Sequence, residues 1–403
     1  MKPHFTHRRR ALAVLGSMAL LHACGGGGDG SGNPAPFDPG NGGNSGSGPP
    51  RAVTFTTGLV NPWGLAFLPD GRLLVTERPG RMRIVSADGA TLSTPLTGLP
   101  AVRAQAQGGL LDVAIDPDFA TTPWVYWTYA EDGAGGAGTA VARGQLSGNA
   151  LTNVQVIFRQ SPKVSSGDNH YGARLVFAGD KTLYVALGDR QTDDPAAPTP
   201  DNAQNLGKHL GKVVRINRDG TVPATNPFVG VAGALPEIFS LGHRNPQGAA
   251  LHPGTGELWV AEHGPQGGDE INRVLAQHNY GWPLRSYGCP YGAPVGPGCQ
   301  VGGGVHMPNF DEPLQTWVPG STAPSGLMFY TGTRFPEWQN SVFTGSLVDR
   351  LLWRLPLQGN ALGVREPLFA DLAERIRDVR QGPDGFIYLL TDSASGRIVR
   401  IQR

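Results

Sequence analysis

The chain has 403 residues, with 33 Lys and Arg against 32 Asp and Glu, a net charge of +1. That length makes one large domain or two ordinary ones, and the charge balance argues against a nucleic-acid or polyanion partner. The 59 Gly and 35 Pro suit an all-β protein with many turns or a disordered segment, and chain order shows both.

The N-terminus reads as a targeting segment. A basic "MKPHFTHRRR" precedes the apolar run "ALAVLGSMALLHA", which is too short to span a bilayer as a helix. "LHAC" puts a small residue directly before Cys24 and a Leu three before it. This resembles a bacterial lipoprotein signal, residues 1–24, with Cys24 becoming the lipidated first residue. Gly25 after it favours the outer membrane, so the expected location is the periplasmic face, held by the lipid anchor only. An ordinary secretory signal cleaved nearby is the alternative, and "RRRAL" leaves Tat export open beside Sec. Residues 25–52, beginning "GGGGDGSGNPAPFDPGNGGNSGSGPP", carry too little apolar surface to offset chain entropy and read as a flexible tether.

Residues 53–403 repeat one phrase six times: a small-apolar strand, a turn rich in Pro, Asp and Gly, then a second strand ending in a polar residue. The copies start at Trp63 ("WGLAFLPDGRLLVTE"), Gly108, Gly172 ("GARLVFAGDKTLYVALGD"), Pro246 ("PQGAALHPGTGELWVAEHG"), Pro324 and Ile376 ("IRDVRQGPDGFIYLLTD"). Each reads as a hairpin with alternating faces. Six such units predict an all-β, six-bladed β-propeller with four-stranded antiparallel blades and a site at one mouth of the central channel. A pair of β-sandwiches would not repeat one hairpin phrase in this way. "GDEINRVLAQ" is the one plausible helical stretch, and it reads equally as strand. In "YGCPYGAPVGPGCQ", Cys289 and Cys299 are expected to close a local disulfide rather than bind zinc.

Polar residues cluster just before or within several of the first strands. Gln107 precedes the second unit, His170 the third, and Arg244 with Asn245 the fourth; Arg375 precedes and Arg377 enters the sixth. Taken singly, the histidine reads as a solvent-facing loop residue and each arginine as a rim salt bridge. Converging on one mouth, they make a basic, His-containing pocket suited to an anionic cofactor or substrate.

"GDNHYGARL", "GDR", "GKVVRINRDGTVPATNPF", "GHRNPQG", "AEHGPQGGDEIN", "NYGWP" and "RIRDVRQGPDGFIYLLTD" stand in order along nearly all of 53–403. This set resembles the soluble pyrroloquinoline-quinone (PQQ) sugar dehydrogenases, and the aldose sugar dehydrogenase branch more closely. The resemblance implies oxidation of the anomeric carbon of aldose sugars to lactones by hydride transfer to the quinone, then electron delivery to a periplasmic acceptor. It implies His170 as general base, Asp189 as the acid that holds it, and Arg244 facing the quinone oxygen. Gln107, Asn245, Arg375 and Arg377 are then cofactor contacts, the last two on its carboxylates. The carbonyls of Gly264 and Pro265 match ligands of a catalytic calcium, and Glu270 with Tyr280 matches a second, structural calcium site. Tyr280 also reads as plain core packing.

Three positions depart from the family pattern or leave a choice. Asn169 stands where the glucose dehydrogenase branch has an aspartate. Val348 stands where the family often has a lysine on the cofactor, with Arg350 two residues on. Trp317 is either a partner for the quinone plane or a core residue. Two other functions fit the same fold: a calcium-dependent propeller hydrolase of lactonase type and a non-catalytic ligand-binding propeller. The first needs channel-facing carboxylates where these repeats supply Arg, His and Gln. The second is favoured only by Val348.

Overall fold

A computed structural model describes residues 48–403 apart from 166, 197–201 and 297. The signal segment, Cys24 and the tether up to residue 47 lie outside the described residues.

The repeated phrase folds as the sequence predicts. In the first copy, strands Pro62–Phe67 and Leu73–Glu77 pair antiparallel across the turn that contains Gly71, at φ 86°. The Asp70 carboxylate accepts from the Arg72 backbone N–H at 3.1 Å, so the turn residues stabilise their own bend. The six first strands are Pro62–Phe67, Leu110–Ile115, Gly172–Phe177, Pro246–Leu251, Pro324–Tyr330 and Ile376–Gln381, and each opens its own sheet. Each packs on the next and the sixth on the first, so they close a ring. This is a six-bladed β-propeller, here numbered blade 1 to blade 6 in that order.

Four blades have four strands. Blade 1 has three, Pro62–Phe67, Leu73–Glu77 and Arg81–Val85, and only a single bridge from Val85 to Leu92 stands where a fourth strand would be. In blade 5 the third strand, Leu352–Gln358, pairs with both Ala361–Leu362 and Glu366–Leu368. Blade 6 is completed by the start of the described chain: Arg51–Leu59 runs antiparallel to Gly396–Gln402. The tether therefore stops short of residue 52, because Arg51 and Ala52 are already paired, with Gln402 and Ile401. "GDEINRVLAQ" resolves as strand Asp269–Val274, and helix among the described residues is confined to three short 3-10 turns.

Hydrophobic clusters fill the spaces between blades. Trp317 belongs to one of them, with Leu327, Val342 and Leu355, and so is a core residue rather than a partner for a flat ligand. Close to the axis the first strands come too near for side chains. A Cβ on Gly248 would collide with the Ser325 carbonyl, and one on Gly326 with the Asp378 carboxylate.

One arginine fills that crowded axis. Arg174 of blade 3, 1% exposed, ion-pairs with Asp112 of blade 2 and Asp378 of blade 6, each at 3.1 Å. It donates to the carbonyls of Gln247 (2.6 Å) in blade 4 and Arg377 (3.0 Å) in blade 6, and its guanidinium lies 4.1 Å from the Trp63 ring of blade 1. A buried cation is tolerated there because two carboxylates and two carbonyls replace its water.

All six pairings of a first with a second strand slip register near the start of the first strand. An extra residue there bends the strand and re-aims its side chains. In an antiparallel hairpin the start of the first strand lies beside the end of the second. Both sets of ends therefore meet at one mouth.

Candidate active site

His170 stands two residues before the first strand of blade 3, in the left-handed region at φ 50°. Its backbone N–H donates to Gln107 Oε1 at 2.9 Å, and its carbonyl accepts from the Arg190 N–H at 3.1 Å. Its ring Nδ1 lies 2.7 Å from Asp189 Oδ1. An ionised carboxylate only accepts, so Nδ1 carries the hydrogen and Nε2 the lone pair. Asp189 is fully buried and held in turn: Gln191 N–H donates to Oδ1 at 2.8 Å and Trp282 Nε1–H to Oδ2 at 2.7 Å. Burial, followed by the charge of Arg244, pushes the His170 imidazolium pKa below its ordinary value, outweighing the opposing pull of Asp189. The ring is thereby kept neutral and able to accept a proton. Asn169 donates to Gln191 Oε1 at 2.8 Å, so it steadies the loop.

Arg244 precedes blade 4. Its Nη1 donates to the carbonyls of His263 (3.1 Å) and Gly264 (2.5 Å), and its guanidinium lies 5.0 Å from the Trp282 ring. Its backbone N–H donates to Glu262 Oε2 at 2.8 Å, and Glu262 Oε1 pairs with His243 at 3.1 Å. Asn245, fully buried, accepts from the N–H of Gly172 at 3.3 Å and from Gln247 Nε2 at 3.0 Å.

Of the predicted residues, five line two neighbouring recesses, Gly264, Glu270 and Tyr280 line a narrower third one with Arg244 and Trp282, and His170, Asp189 and Asn245 line none of the three. Gln107, Arg375 and Arg377 line a cavity of about 410 Å³ on the channel axis, together with Arg78, Gln247, His263, Val348 and Asp392. Arg244 and Pro265 line a cleft of about 270 Å³ with Trp282 and Tyr291. His263 joins them, since it lines the axial cavity while its carbonyl holds Arg244. Burial and the charges of Arg377 and Arg244 drive the His263 pKa down to about 3, so this ring is neutral too.

Asp392 organises the cations of the axial cavity. It accepts from Arg377 at 2.7 Å and from Arg375 at 3.4 Å. Burial works against its charge, but Arg377, Arg78 and Arg375 outweigh it and hold the carboxyl well below the usual carboxylate range. Three guanidiniums against one carboxylate leave the cavity positive. Buried Nε atoms of Arg78, Arg244 and Arg377, and Nδ2 of Asn245, have no hydrogen-bond partner among the described residues. A polyanion rich in acceptor oxygens fits such donors. Val348 lines the same cavity, and Arg350 does not.

For cations the picture is divided. The Gly264 carbonyl already takes a hydrogen bond from Arg244, and Pro265 faces the cleft. Glu270 is buried, and burial together with the nearby charge of Glu262 raises its carboxyl pKa well above normal. Asn272 Nδ2 bridges the two acids, donating to Glu262 Oε1 at 2.9 Å and to Glu270 Oε2 at 3.1 Å. The Tyr280 phenol oxygen is committed elsewhere: it donates to the Arg273 carbonyl and accepts from the Leu275 N–H. The Tyr280 carbonyl oxygen takes no backbone hydrogen bond among the described residues and is the atom this residue has to offer a cation. The predicted Cys289–Cys299 disulfide is present, and Cys289 forms a two-bond bridge to Gln266, so the stapled loop is pinned beside Pro265.

Sequence reading missed Arg78, His263 and Asp392. All three follow a second strand: Leu73–Glu77, Leu258–Glu262 and Ile387–Thr391. The polar endings of the second strands in the repeated phrase were their one signal, and any hairpin carries such an ending.

Comparison with known proteins gives a consistent result. The sequence pattern of the family described as Glucose / Sorbosone dehydrogenase matches residues 59–400. Aldose sugar dehydrogenase YliI of Escherichia coli (strain K12) is 44% identical over 347 residues, covering 85% of this chain and 90% of that protein. The crystal structure of the apo-form of the soluble aldose sugar dehydrogenase from Escherichia coli superposes with a TM-score of 0.81 at 40% identity, covering 88% of this chain and 99% of that one. The PQQ-bound form of aldose sugar dehydrogenase from Streptomyces coelicolor superposes with a TM-score of 0.70 at 29% identity, covering 88% and 98%.

Proposed function

The chain belongs to the glucose/sorbosone dehydrogenase family, and from that premise we propose that it oxidises aldose sugars at the anomeric carbon with PQQ and calcium. The observation that carries this reading is the His170–Asp189 pair beside Arg244, next to a positive cavity with unpartnered donors. Bound PQQ would supply the two-electron acceptor that takes hydride from sugar C1, with calcium as Lewis acid.

The remaining chemistry belongs to the chain. His170 Nε2 takes the proton of the anomeric hydroxyl as the C1–H bond breaks, so the sugar leaves as a lactone short of two electrons and two protons. Asp189 fixes the tautomer and steadies the imidazolium that results. Arg244 offers positive charge where negative charge develops. Arg375 and Arg377 hold carboxylates of the cofactor, with Gln107 and Asn245 as neutral contacts. The carbonyls of Gly264 and Pro265 would hold the catalytic calcium, and Glu270 with the Tyr280 carbonyl a second, structural one.

The test is to add PQQ and calcium to the purified protein and follow dye reduction by aldoses. Activity that needs both additions supports the reading, and no turnover with any aldose contradicts it. Attachment through a lipidated Cys24 on the periplasmic face remains part of the proposal. Cys24→Ser should release the protein from the membrane fraction, and unchanged fractionation would remove the anchor from the account.

A further inference from the structure

We infer that Arg78 is a third cationic anchor of the anionic cofactor, alongside Arg375 and Arg377. This rests on the PQQ reading above and names a residue to which that reading gives no role.

Arg78 directly follows the second strand of blade 1 and lines the axial cavity. Its backbone is fixed from both sides: its N–H donates to the Asn61 carbonyl at 3.0 Å and its carbonyl accepts from the Leu110 N–H at 3.2 Å. The side chain is half-buried. Nη1 donates to the Ala106 carbonyl at 2.5 Å, which turns the guanidinium toward the segment carrying Gln107. Nε is buried without a partner, and Arg78 has no ion pair among the described residues.

The aspartate that could neutralise it is already engaged. Asp392 hydrogen-bonds Arg375 and Arg377 and reaches Arg78 only through its charge. Burial opposes the Arg78 charge, Asp392 supports it, and Arg377 and Arg375 repel it. Arg78 therefore brings to the cavity wall a charge that no carboxylate among the described residues contacts directly, and an anion bound among Arg78, Arg375 and Arg377 would offset the repulsion between them. PQQ is a tricarboxylic acid, so two arginines on one side of the cavity leave carboxylate charge for a third. Val348, on the wall of the same cavity, brings no charge, which leaves that role to Arg78.

The experiment measures PQQ affinity by tryptophan-fluorescence titration at fixed calcium for wild type, R78Q, R78K and R377Q, with melting temperatures alongside. R78Q should bind PQQ about 10- to 100-fold more weakly, as for loss of a charge-assisted contact. R78K keeps the charge and should stay within several-fold of wild type. If R78Q binds like wild type while R377Q is weakened, the inference is overturned and the PQQ reading stands. Equal losses in R78Q and R78K would trace the effect to packing against Ala106 and also overturn it. If wild type does not bind PQQ, both the inference and the reading it rests on fail.

Discussion

At the scale of single residues, the account depends on a histidine kept neutral and held in one tautomer. His170→Gln keeps a polar group of similar size but cannot take up a proton. It should lower turnover on the order of 100- to 10,000-fold while PQQ affinity is retained. Asp189→Asn places an amide among three donors, His170 Nδ1, Gln191 N and Trp282 Nε1, and should share much of that loss. The direction of the His170 shift fixes the pH dependence. Burial and Arg244 lower its pKa from the ordinary 6.5, so the base stays deprotonated below that pH. The acid limb of turnover at saturating PQQ should therefore lie below pH 6.5, and a limb above it would contradict the neutral, buried ring described here.

At the scale of elements, what was legible follows from hairpin geometry. The six first strands announced themselves by repetition, and the polar residues before or within them pointed to Gln107, His170, Arg244 and Arg377. The ends of the second strands serve the same mouth, but one polar residue before a turn is what any hairpin has. Arg78, His263 and Asp392 therefore carried no distinctive signal, and only the fold puts them beside Arg377. The same limit explains "GDEINRVLAQ", where six residues of strand Asp269–Val274 have too little periodicity to separate strand from helix. The close approach of first strands gives a stability test. Gly248→Ala sets a methyl against the Ser325 carbonyl, a backbone atom that cannot swing away. Overpacking of this kind typically costs about 1–3 kcal/mol, read as a lowered urea midpoint. An unchanged midpoint would mean blades 4 and 5 are spaced more widely than described.

At the scale of the whole molecule, ring closure and acid response matter most. Strand Arg51–Leu59 could not be read from sequence because its partner, Gly396–Gln402, lies at the other end of the chain, and its own stretch abuts a glycine-rich tether. Removing residues 48–59 bares the edge of Gly396–Gln402, so the truncated chain should aggregate or melt far below the full-length protein. Acid should destabilise the fold in two steps. An unfolded chain protonates His170 near pH 6.5 while the folded state resists, so that contribution is fully present above 6.5 and is lost as pH falls toward the lowered folded value. Asp392, held below its ordinary 3.8, contributes stability present above that pH and lost as pH falls further. Melting temperature against pH should fall first below 6.5 and again below 3.8.

The central claim is that this propeller uses PQQ to take two electrons from an aldose, with His170 as the base. An anaerobic single-turnover experiment tests it most directly: calcium-loaded protein with one equivalent of PQQ is mixed with excess aldose, and lactone is quantified against bound PQQ. The account predicts one lactone per PQQ in wild type, with His170→Gln reaching the same end point far more slowly. Lactone formed without PQQ, or formed by His170→Gln at the wild-type rate, would contradict it.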